Sequence, residues 1–327
     1  MGVKFKDIAS PEKINLKDLE GRTIAIDAFN TIYQFLSGIR QRDGTPLKDA
    51  NGNVTSHLSG LLYRTSSIVE RGIKPIYVFD GKPSEYKSDT IAKRKEAKIK
   101  SKEEWEKAIK EGNEELARKY AMRTTHITPY VVESSKYLLD LMGIPYVQAL
   151  GEGEAQASYM VQKKDAWAVA SQDYDCLLFG SPRIIRNLTL SGGLSNLEYM
   201  ELNKVLSNLD FSREQLIDLA LLVGTDFNDG VHGIGVKRGM KLLNDNNLEN
   251  VLEDLDTEPK IDIDILRNIF LNPRVNKDYT IKFKEPDREG IVEFLCGEHG
   301  FSKDRVLNSA SKIKNLNSSQ KSLEDFF

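Results

Sequence analysis

Cysteine and histidine are scarce in this sequence, with two and four residues respectively among 327. Two lone cysteines, Cys176 and Cys296, exclude a disulfide framework and fit a reducing compartment. They also exclude a cysteine-based zinc site, and the histidines have no mutual metal-ligand spacing. No apolar run is long enough to span a bilayer, and residues 1–6 lack a signal-peptide pattern. We therefore expect a soluble, cytoplasmic protein.

An excess of positive charge is lacking as well. The net charge is −3 and the isoelectric point about 6.0, which alone argues against a nucleic-acid-binding protein. The distribution of charge changes that conclusion. If seven carboxylates lie in one metal-neutralised pocket, the rest of the chain is net positive and can face phosphate groups.

Apolar runs that favour β-structure alternate with segments of helical spacing along the chain. The β-like runs are residues 22–26, 75–79, 144–148, 166–171 and 183–188. The helix-like segments are residues 28–36, 56–72, 128–142, 212–223, 249–255, 263–270 and 302–313, and residues 10–12 indicate a further helix start. This alternation predicts an α/β fold with a mostly parallel central sheet flanked by helices.

Acidic residues follow the β-like runs at their carboxyl ends. A single acid there is usually a helix cap or a turn former, but in a parallel sheet these ends meet at one edge. Carboxylates repel one another, so their convergence indicates a hard divalent cation. Oxygen donors with few histidines indicate Mg²⁺ or Mn²⁺ rather than zinc. The candidate metal ligands are Asp27, Asp80, Glu152, Glu154, Asp173, Asp175 and, in a Gly-Thr-Asp sequence, Asp226.

The segment 82–123 carries 13 basic and nine acidic residues with few large apolar ones. Helix-forming residues dominate it, but no continuous apolar stripe is present. A solvated helical hairpin is one interpretation, and a flexible helical arch over the active site is the other. The basic half, residues 82–102, adjoins Asp80, which favours the arch.

Two further motifs indicate partners. Gly233 and Gly235 lie between two helix-like runs, where backbone N–H groups and a helix N-terminus can approach a phosphate. A plain glycine-rich turn is the alternative interpretation. The chain also ends on two phenylalanines after a polar stretch at 315–319, which predicts that a partner covers this apolar end.

Together these motifs closely resemble the flap endonuclease family, the structure-specific 5′ nucleases of DNA replication and repair. The resemblance extends over essentially the whole chain. The matching motifs include Tyr-Val-Phe-Asp-Gly-Lys-Pro, Gly-Glu-Gly-Glu-Ala-Gln-Ala, Gln-Asp-Tyr-Asp and Gly-Ile-Gly-Val-Lys-Arg. It implies a PIN-like 5′ nuclease fold with one nuclease domain at 1–314. Within it we expect a helical arch at 82–127 and a DNA-binding helix–two-turn–helix at 212–244, followed by a linker and clamp-binding tail at 315–327.

The resemblance also implies an activity: 5′ flap endonuclease and 5′–3′ exonuclease cleavage near the single-strand/duplex junction, giving 5′ phosphate and 3′ hydroxyl ends. The contexts would be Okazaki-fragment processing and base excision repair. Two Mg²⁺ ions, for which Mn²⁺ can substitute, would be held by the seven carboxylates. Lys87 and Arg94 would contact the scissile phosphate, and Tyr33 would stack on a nearby base.

Binding roles follow from the same resemblance. Duplex DNA would be gripped through Gly233, Gly235, Lys237 and Arg238, with a K⁺ ion on backbone carbonyls, while Thr55 and Arg64 would lie near a one-nucleotide 3′ flap. The sliding clamp, proliferating-cell nuclear antigen, would bind a monomeric enzyme through Gln320, Leu323, Phe326 and Phe327. No lysine-rich extension follows this box, as in the archaeal form of the family.

Three alternatives stay open at this point. The first is an RNA-directed nuclease with the same metal-dependent fold. The expected binding of duplex DNA by the glycine-rich segment 233–238 argues against it. The second is a clamp-tethered DNA scaffold with a vestigial site, against which seven intact carboxylates argue. The third is a Mg²⁺ phosphatase, which accounts for neither the charged segment nor the tail.

Overall fold

One sheet of seven strands forms the centre of the described chain. The structure is a computed structural model that describes residues 3, 5–190, 194, 196–313 and 316. The strands in chain order are β1 (Glu12–Lys13), β2 (Thr23–Asp27), β3 (Lys74–Phe79), β4 (Tyr146–Gln148), β5 (Ala168–Ala170), β6 (Arg183–Arg186) and β7 (Glu198–Glu201). Their spatial order is β1-β7-β6-β5-β2-β3-β4.

Five neighbouring strands, β4, β3, β2, β5 and β6, run parallel to one another. At one edge of the sheet, β7 pairs antiparallel with β6, and β1 pairs antiparallel with β7. The register pairs Asp27 with Val78 and Ile26 with Ala170, so the carboxyl ends of the three central strands lie side by side. The prediction of a mostly parallel α/β sheet is therefore confirmed. Strand β7 and its pairing were not predicted.

Helices connect and cover the strands. They are α1 (Lys6–Ala9), α2 (Ala28–Gly38), α3 (Ser56–Glu70), α4 (Ser88–Lys110), α5 (Glu114–Arg123), α6 (Pro129–Leu141), α7 (Gly153–Gln162), α8 (Asp175–Leu178), α9 (Leu202–Leu209), α10 (Arg213–Val223), α11 (Val236–Asp245), α12 (Leu248–Asp254), α13 (Ile263–Leu271), α14 (Arg288–Val292) and α15 (Lys303–Ser311). Short 3₁₀ turns lie at Leu16–Leu19 and Glu85–Lys87, and a π-helical turn at Glu293–Glu298. No helix of the described residues is long and apolar enough to cross a membrane.

The two faces of the sheet bury separate cores, because successive strand side chains point to opposite sides. Ile24 and Ile26 of β2 face a core shared with α2, α3, α6 and α15. Ala25 faces the other core, which α7, α8, α10, α12 and α13 complete. Helices on both faces leave the strand ends as the accessible edge of this layered structure.

The predicted helix start at residues 10–12 is wrong. Ser10 ends α1 in the left-handed region at φ 40°, and Glu12 and Lys13 pair with β7 as a short edge strand. By contrast, the predicted helix at 212–223 is present as α10, and Ser212 is its N-cap: Ser212 Oγ accepts the backbone N–H of Gln215, and Gln215 Oε1 accepts the backbone N–H of Ser212.

The charged segment folds into two helices, α4 and α5, which pack on each other around a turn at Gly112, and α5 also contacts α2. Small residues form the contact: Ser101, Ala108, Ala117 and Ala121 are the buried residues of the pair. Trp105 donates to the carbonyl of Asp43 at 3.2 Å, which ties the helices to the loop before α3. We call α4 and α5 the charged hairpin.

Candidate functional site

Asp27 is the last residue of the central strand β2 and the N-cap of α2. Its Oδ1 accepts the backbone N–H of Asn30 at 2.9 Å, and only 5% of the residue is exposed. This cap satisfies one of the helix's free N–H groups and fixes the carboxylate at the strand end. Both expectations for Asp27, a cap and a member of the acidic set, are therefore met by one side chain.

Asp80 follows β3 and contacts the start of α7. The backbone N–H of Gly153 donates to Asp80 Oδ1 at 2.7 Å. A Cβ at Gly153 would lie 2.5 Å from the same oxygen, so the second glycine of Gly-Glu-Gly-Glu leaves room for the carboxylate. Glu152 is the N-cap residue of α7 and Glu154 lies in its first turn. The sequence had placed both on a strand end or loop, which is wrong for Glu154.

Asp173 and Asp175 lie just beyond β5. Asn30 Nδ2 donates to Asp173 Oδ2 at 3.2 Å, so α2 joins the loop after β5. Asp175 is the first residue of α8, and its Oδ1 accepts the backbone N–H of Val3 at 2.7 Å. The N-terminal segment therefore also contacts this edge of the sheet.

We call seven carboxylates the acidic edge: those of Asp27, Asp80, Glu152, Glu154, Asp173, Asp175 and Asp226. Burial and mutual repulsion raise several pKa values in this group. Burial, then the charge of Asp80, raises the pKa of Asp27 well above its usual value. Burial and the charge of Asp175 do the same to the pKa of Glu154. Burial, with Asp226 adding to it, raises the pKa of Asp175 to about 7, and burial with Glu152 raises that of Asp80 to about 6. Acids from distant segments thus lie within one another's electrostatic field.

Two cations reach the acidic edge, Lys87 directly before α4 and Arg94 on α4. Lys87 forms ion pairs with Glu152 and with Asp226. Arg94 donates to Asp226 Oδ1 at 2.6 Å. Burial lowers the pKa of Lys87, but the charges of Glu152 and Asp226 outweigh it and raise the pKa overall. The Lys87 ammonium also lies 4.9 Å from the ring centre of Phe227, a favourable cation–π distance.

The donor chemistry of the acidic edge fits divalent cations, because seven carboxylates supply only oxygen ligands and repel one another without a counter-charge. In the part of the chain that the structure describes, no three acidic, histidine or cysteine side chains already form a group arranged to hold an ion. The metal-ligand roles of these residues stay a prediction.

The glycine-rich motif lies where the sequence placed it, between α10 and α11. Gly233 has φ +77°, Gly235 is the N-cap of α11, and a Cβ at either glycine would meet no atom of the described part of the chain within 4 Å. Lys237 and Arg238 occupy the first turn of α11. The loop before α11 is thus open to an external anion, while contact with DNA stays a prediction.

The remaining predicted residues are scattered. Tyr33 lies on α2 with 40% of its surface exposed, which permits stacking. Thr55 is buried at the start of α3, and Arg64 is half-buried on the same helix. Thr55 at 5% exposure has little side-chain surface left for direct contact with DNA. The clamp-binding residues Gln320, Leu323, Phe326 and Phe327 lie outside the described residues.

Three residues of the site were missed by sequence reasoning. Ser171 and Asn30 hold the carboxylates in place by hydrogen bonds, and Phe227 lies beneath Lys87. Each is a sequence neighbour of a predicted acid: Ser171 precedes Asp173 by two positions, and Phe227 follows Asp226 directly. Their proximity in sequence to the acids was the available signal.

Comparison with known proteins first defines the class. The family models of the XPG N-terminal domain and the XPG I-region match residues 1–101 and 143–226. Flap endonuclease 1 of Methanobrevibacter smithii is 58% identical over 327 residues, 100% of both chains. The structure of flap endonuclease-1 from Methanococcus jannaschii superposes with a TM-score of 0.80 at 43% identity, covering 98% of this chain and 100% of that one.

A more distant structure, the catalytic core of Rad2 in complex with DNA substrate, shares the fold at a TM-score of 0.73 and 24% identity, covering 96% of this chain and 100% of that one. Together with the full-length relatives, this agreement confirms the PIN-like 5′ nuclease fold. The chain belongs to the flap endonuclease family.

Proposed function

We propose that this protein is a structure-specific 5′ flap endonuclease with 5′–3′ exonuclease activity. It cleaves a DNA phosphodiester near the junction of single strand and duplex, in Okazaki-fragment processing and base excision repair. The single observation that carries the proposal is the meeting of carboxylates from separate chain segments with Lys87 and Arg94 at one edge of the sheet. The flap endonuclease relatives match this chain over its whole length.

Two Mg²⁺ ions, with Mn²⁺ as a substitute, are the proposed cofactors. Asp27, Asp80, Glu152, Glu154, Asp173, Asp175 and Asp226 would hold them. Ions in such two-metal sites acidify a bound water and stabilise charge on the attacking and leaving oxygens. Two unit charges 4 Å apart interact by about 4 kcal/mol at an effective dielectric of about 20, so a phosphate facing these carboxylates alone would be repelled.

The residues of the chain would then orient the substrate. Lys87 and Arg94 would exchange part of their contact with Asp226 for the scissile phosphate, placing positive charge where negative charge develops. Tyr33, exposed on α2, would stack on a base next to the cleaved bond. Cleavage would leave a 5′ phosphate and a 3′ hydroxyl.

Duplex binding is proposed for the open loop before α11. Gly233 and Gly235 would let backbone N–H groups approach the phosphates, a K⁺ ion would sit on nearby backbone carbonyls, and Lys237 and Arg238 would add positive charge. Thr55 and Arg64 would act at the 3′ flap, and for buried Thr55 that role would be indirect. Such phosphate contacts read the shape of the DNA rather than its sequence.

The tail and the charged hairpin supply the remaining proposals. Residues 320–327 would bind the sliding clamp, so their removal would spare basal cleavage. The hairpin would act as an arch that admits a free 5′ single strand. We further propose that the enzyme acts as a monomer in the cytoplasm, at the chromosome.

A double-flap DNA digested in Mg²⁺ or in EDTA tests the activity. We expect cleavage at the junction in Mg²⁺ and none in EDTA. Asp173→Ala should abolish cleavage while duplex binding survives, because phosphate contacts outside the acidic edge remain. The exposed Asp278 provides the matched control as Asp278→Ala, which should cleave like the wild type.

Unchanged cleavage in Asp173→Ala would contradict the proposed site. An RNA version of the same flap, digested in parallel, separates a DNA nuclease from an RNA-directed one. Cleavage of the RNA flap alone would overturn the substrate assignment.

A further inference from the structure

A buried hydroxyl lies at the centre of the acidic edge. Ser171 follows β5 directly and is 5% exposed. Its Oγ lies 2.8 Å from Glu154 Oε1 and 3.4 Å from Asp27 Oδ2, and the backbone N–H of Asp173 points at it from 3.2 Å. One oxygen therefore contacts three acids from three chain segments.

The chemistry of a hydroxyl fixes the direction of these bonds. A serine has one proton to donate and lone pairs with which to accept. The Asp173 N–H occupies an acceptor position, so the single proton is left for a carboxylate. Glu154 is much nearer than Asp27 and receives it, whereas the Asp27 contact lies at the outer limit of a hydrogen bond.

Asn30 links two of these acids. Its backbone N–H donates to Asp27 Oδ1, and its side-chain amide donates to Asp173 Oδ2. Asn30 thus joins Asp27 to Asp173, and Ser171 joins the Asp173 backbone to Glu154. These hydrogen bonds restrict the orientation of the carboxylates at the ends of β2 and β5, whose separation is set by the pairing of the strands.

We propose that Ser171 is a positioning residue for ion binding: its hydroxyl orients Glu154 and holds it next to the loop that carries Asp173. This inference rests on the proposed function, since it concerns the same site. Without the hydroxyl, Glu154 loses its short hydrogen bond and the Asp173 N–H loses its acceptor. The three carboxylates would then repel one another into orientations less suited to a common ion.

Titration calorimetry of DNA-free protein with Mn²⁺ tests this role directly. Hydrogen-bonding partners of metal ligands typically affect metal affinity about 10- to 100-fold, and we expect a loss of that size in Ser171→Ala. Ser171→Thr keeps the hydroxyl and should bind Mn²⁺ like the wild type. In steady-state cleavage, Ser171→Ala should lower kcat at low Mg²⁺, leave KM for flap DNA unchanged, and recover as Mg²⁺ is raised.

Ser158→Ala is the matched control. Ser158 lies on α7, one turn beyond Glu154, and is buried with a hydroxyl that has no hydrogen-bond partner among the described residues. It should bind Mn²⁺ like the wild type, and circular dichroism verifies that each variant is folded. Equal affinities in Ser171→Ala and Ser158→Ala would overturn the inference, as would a Ser171→Thr variant as weak as the alanine.

The calorimetry also separates this inference from the proposed activity. A wild-type protein that binds Mn²⁺ in a Ser171-dependent way but leaves flap DNA uncut would refute only the nuclease proposal. A wild-type protein that cleaves flaps with an ion affinity independent of Ser171 would refute only the positioning role.

Discussion

The acidic edge and the charged hairpin meet at the same site but are built differently. Acids of the edge lie at strand ends and at the ends of helices packed on the sheet, and Asp27, Asp175 and Asp226 are at most 8% exposed. The hairpin has few buried side chains, and ion pairs within it, such as Lys100 with Glu96, are solvent-exposed. Core packing therefore sets the positions of the acids, whereas the hairpin rests on small-residue contacts and can be changed without disturbing the sheet.

Neighbouring cations of α4 provide the sharpest test of this difference. Arg94 pairs with buried Asp226, whereas Lys93 pairs with the exposed Asp229. Arg94→Ala should lower kcat by about 100-fold, as expected when a preorganised charge aimed at the reacting group is removed. Lys93→Ala should cost at most about fivefold, because exposed ion pairs contribute about 0–1 kcal/mol. Single-turnover cleavage measures both.

A fluorescence anisotropy assay of flap DNA binding in Ca²⁺ serves as the control, since both variants should retain affinity. Equal kinetic losses in the two variants would show that α4 contributes only diffuse positive charge. The distinction between the acidic edge and the outer hairpin would then fail.

Protonation of Asp175 should couple stability to pH when ions are absent. Its pKa is about 7 in the folded protein and about 4 in an unfolded chain, so folding binds the proton more tightly. Stability from this group is fully present below about pH 4 and is lost as pH rises through 7. In EDTA, raising the pH from 5 to 8 should lower the unfolding midpoint of the wild type relative to Asp175→Asn by roughly 5 °C.

The measurement compares the unfolding midpoints of the wild type and Asp175→Asn, because other groups in both proteins titrate in the same pH range. Burial lowers the pKa of His57 to about 3, for example, which makes stability rise with pH in both proteins. Excess Mg²⁺ should remove the difference at pH 8, where ions bind the deprotonated acids. If the difference in unfolding midpoint between the two proteins did not change with pH, the electrostatic description of the acidic edge would be contradicted.

Two glycines test how the hairpin is anchored. Gly44 and Gly112 both have positive φ, at 84° and 68°. A Cβ at Gly44 would lie 2.6 Å from the Cβ of Ala121 on α5, whereas one at Gly112 would meet nothing within 4 Å. Gly112→Ala should cost about 1 kcal/mol of unfolding free energy from backbone strain alone. Gly44→Ala should cost about 1–3 kcal/mol more and speed proteolysis within the hairpin.

Urea denaturation gives the free energies, and limited trypsin digestion reports the hairpin. If Gly44→Ala and Gly112→Ala behaved alike, the contact between the loop and α5 would not anchor the hairpin. The two variants should in that case also cleave flap DNA at the same rate.

Much of this architecture could be predicted from the sequence because single residues are strong local signals. Asp27 ends an apolar run and begins a segment of helical spacing, so both the strand and the cap were predictable. The same local pattern located Asp80 and Asp173 at one sheet edge. Their convergence follows from the parallel arrangement, in which all carboxyl ends lie together.

Other features depend on contacts between distant segments and were not predictable. The strand β7 has only four residues, Glu-Tyr-Met-Glu, whose charged and apolar residues do not alternate, and its pairing with β6 and β1 is decided by tertiary structure. Glu154 was predicted at a strand end or loop because it lies two residues from Glu152 after an apolar run, yet α7 begins at Gly153. The role of Ser171 emerges only when three chain segments are brought together.

Anomalous X-ray diffraction from crystals of the protein soaked in Mn²⁺ tests the central claim most directly. We predict manganese peaks among Asp27, Asp80, Glu154, Asp173 and the neighbouring carboxylates of the acidic edge. Peaks confined to other surfaces, with this edge free of manganese at saturating concentration, would contradict the account.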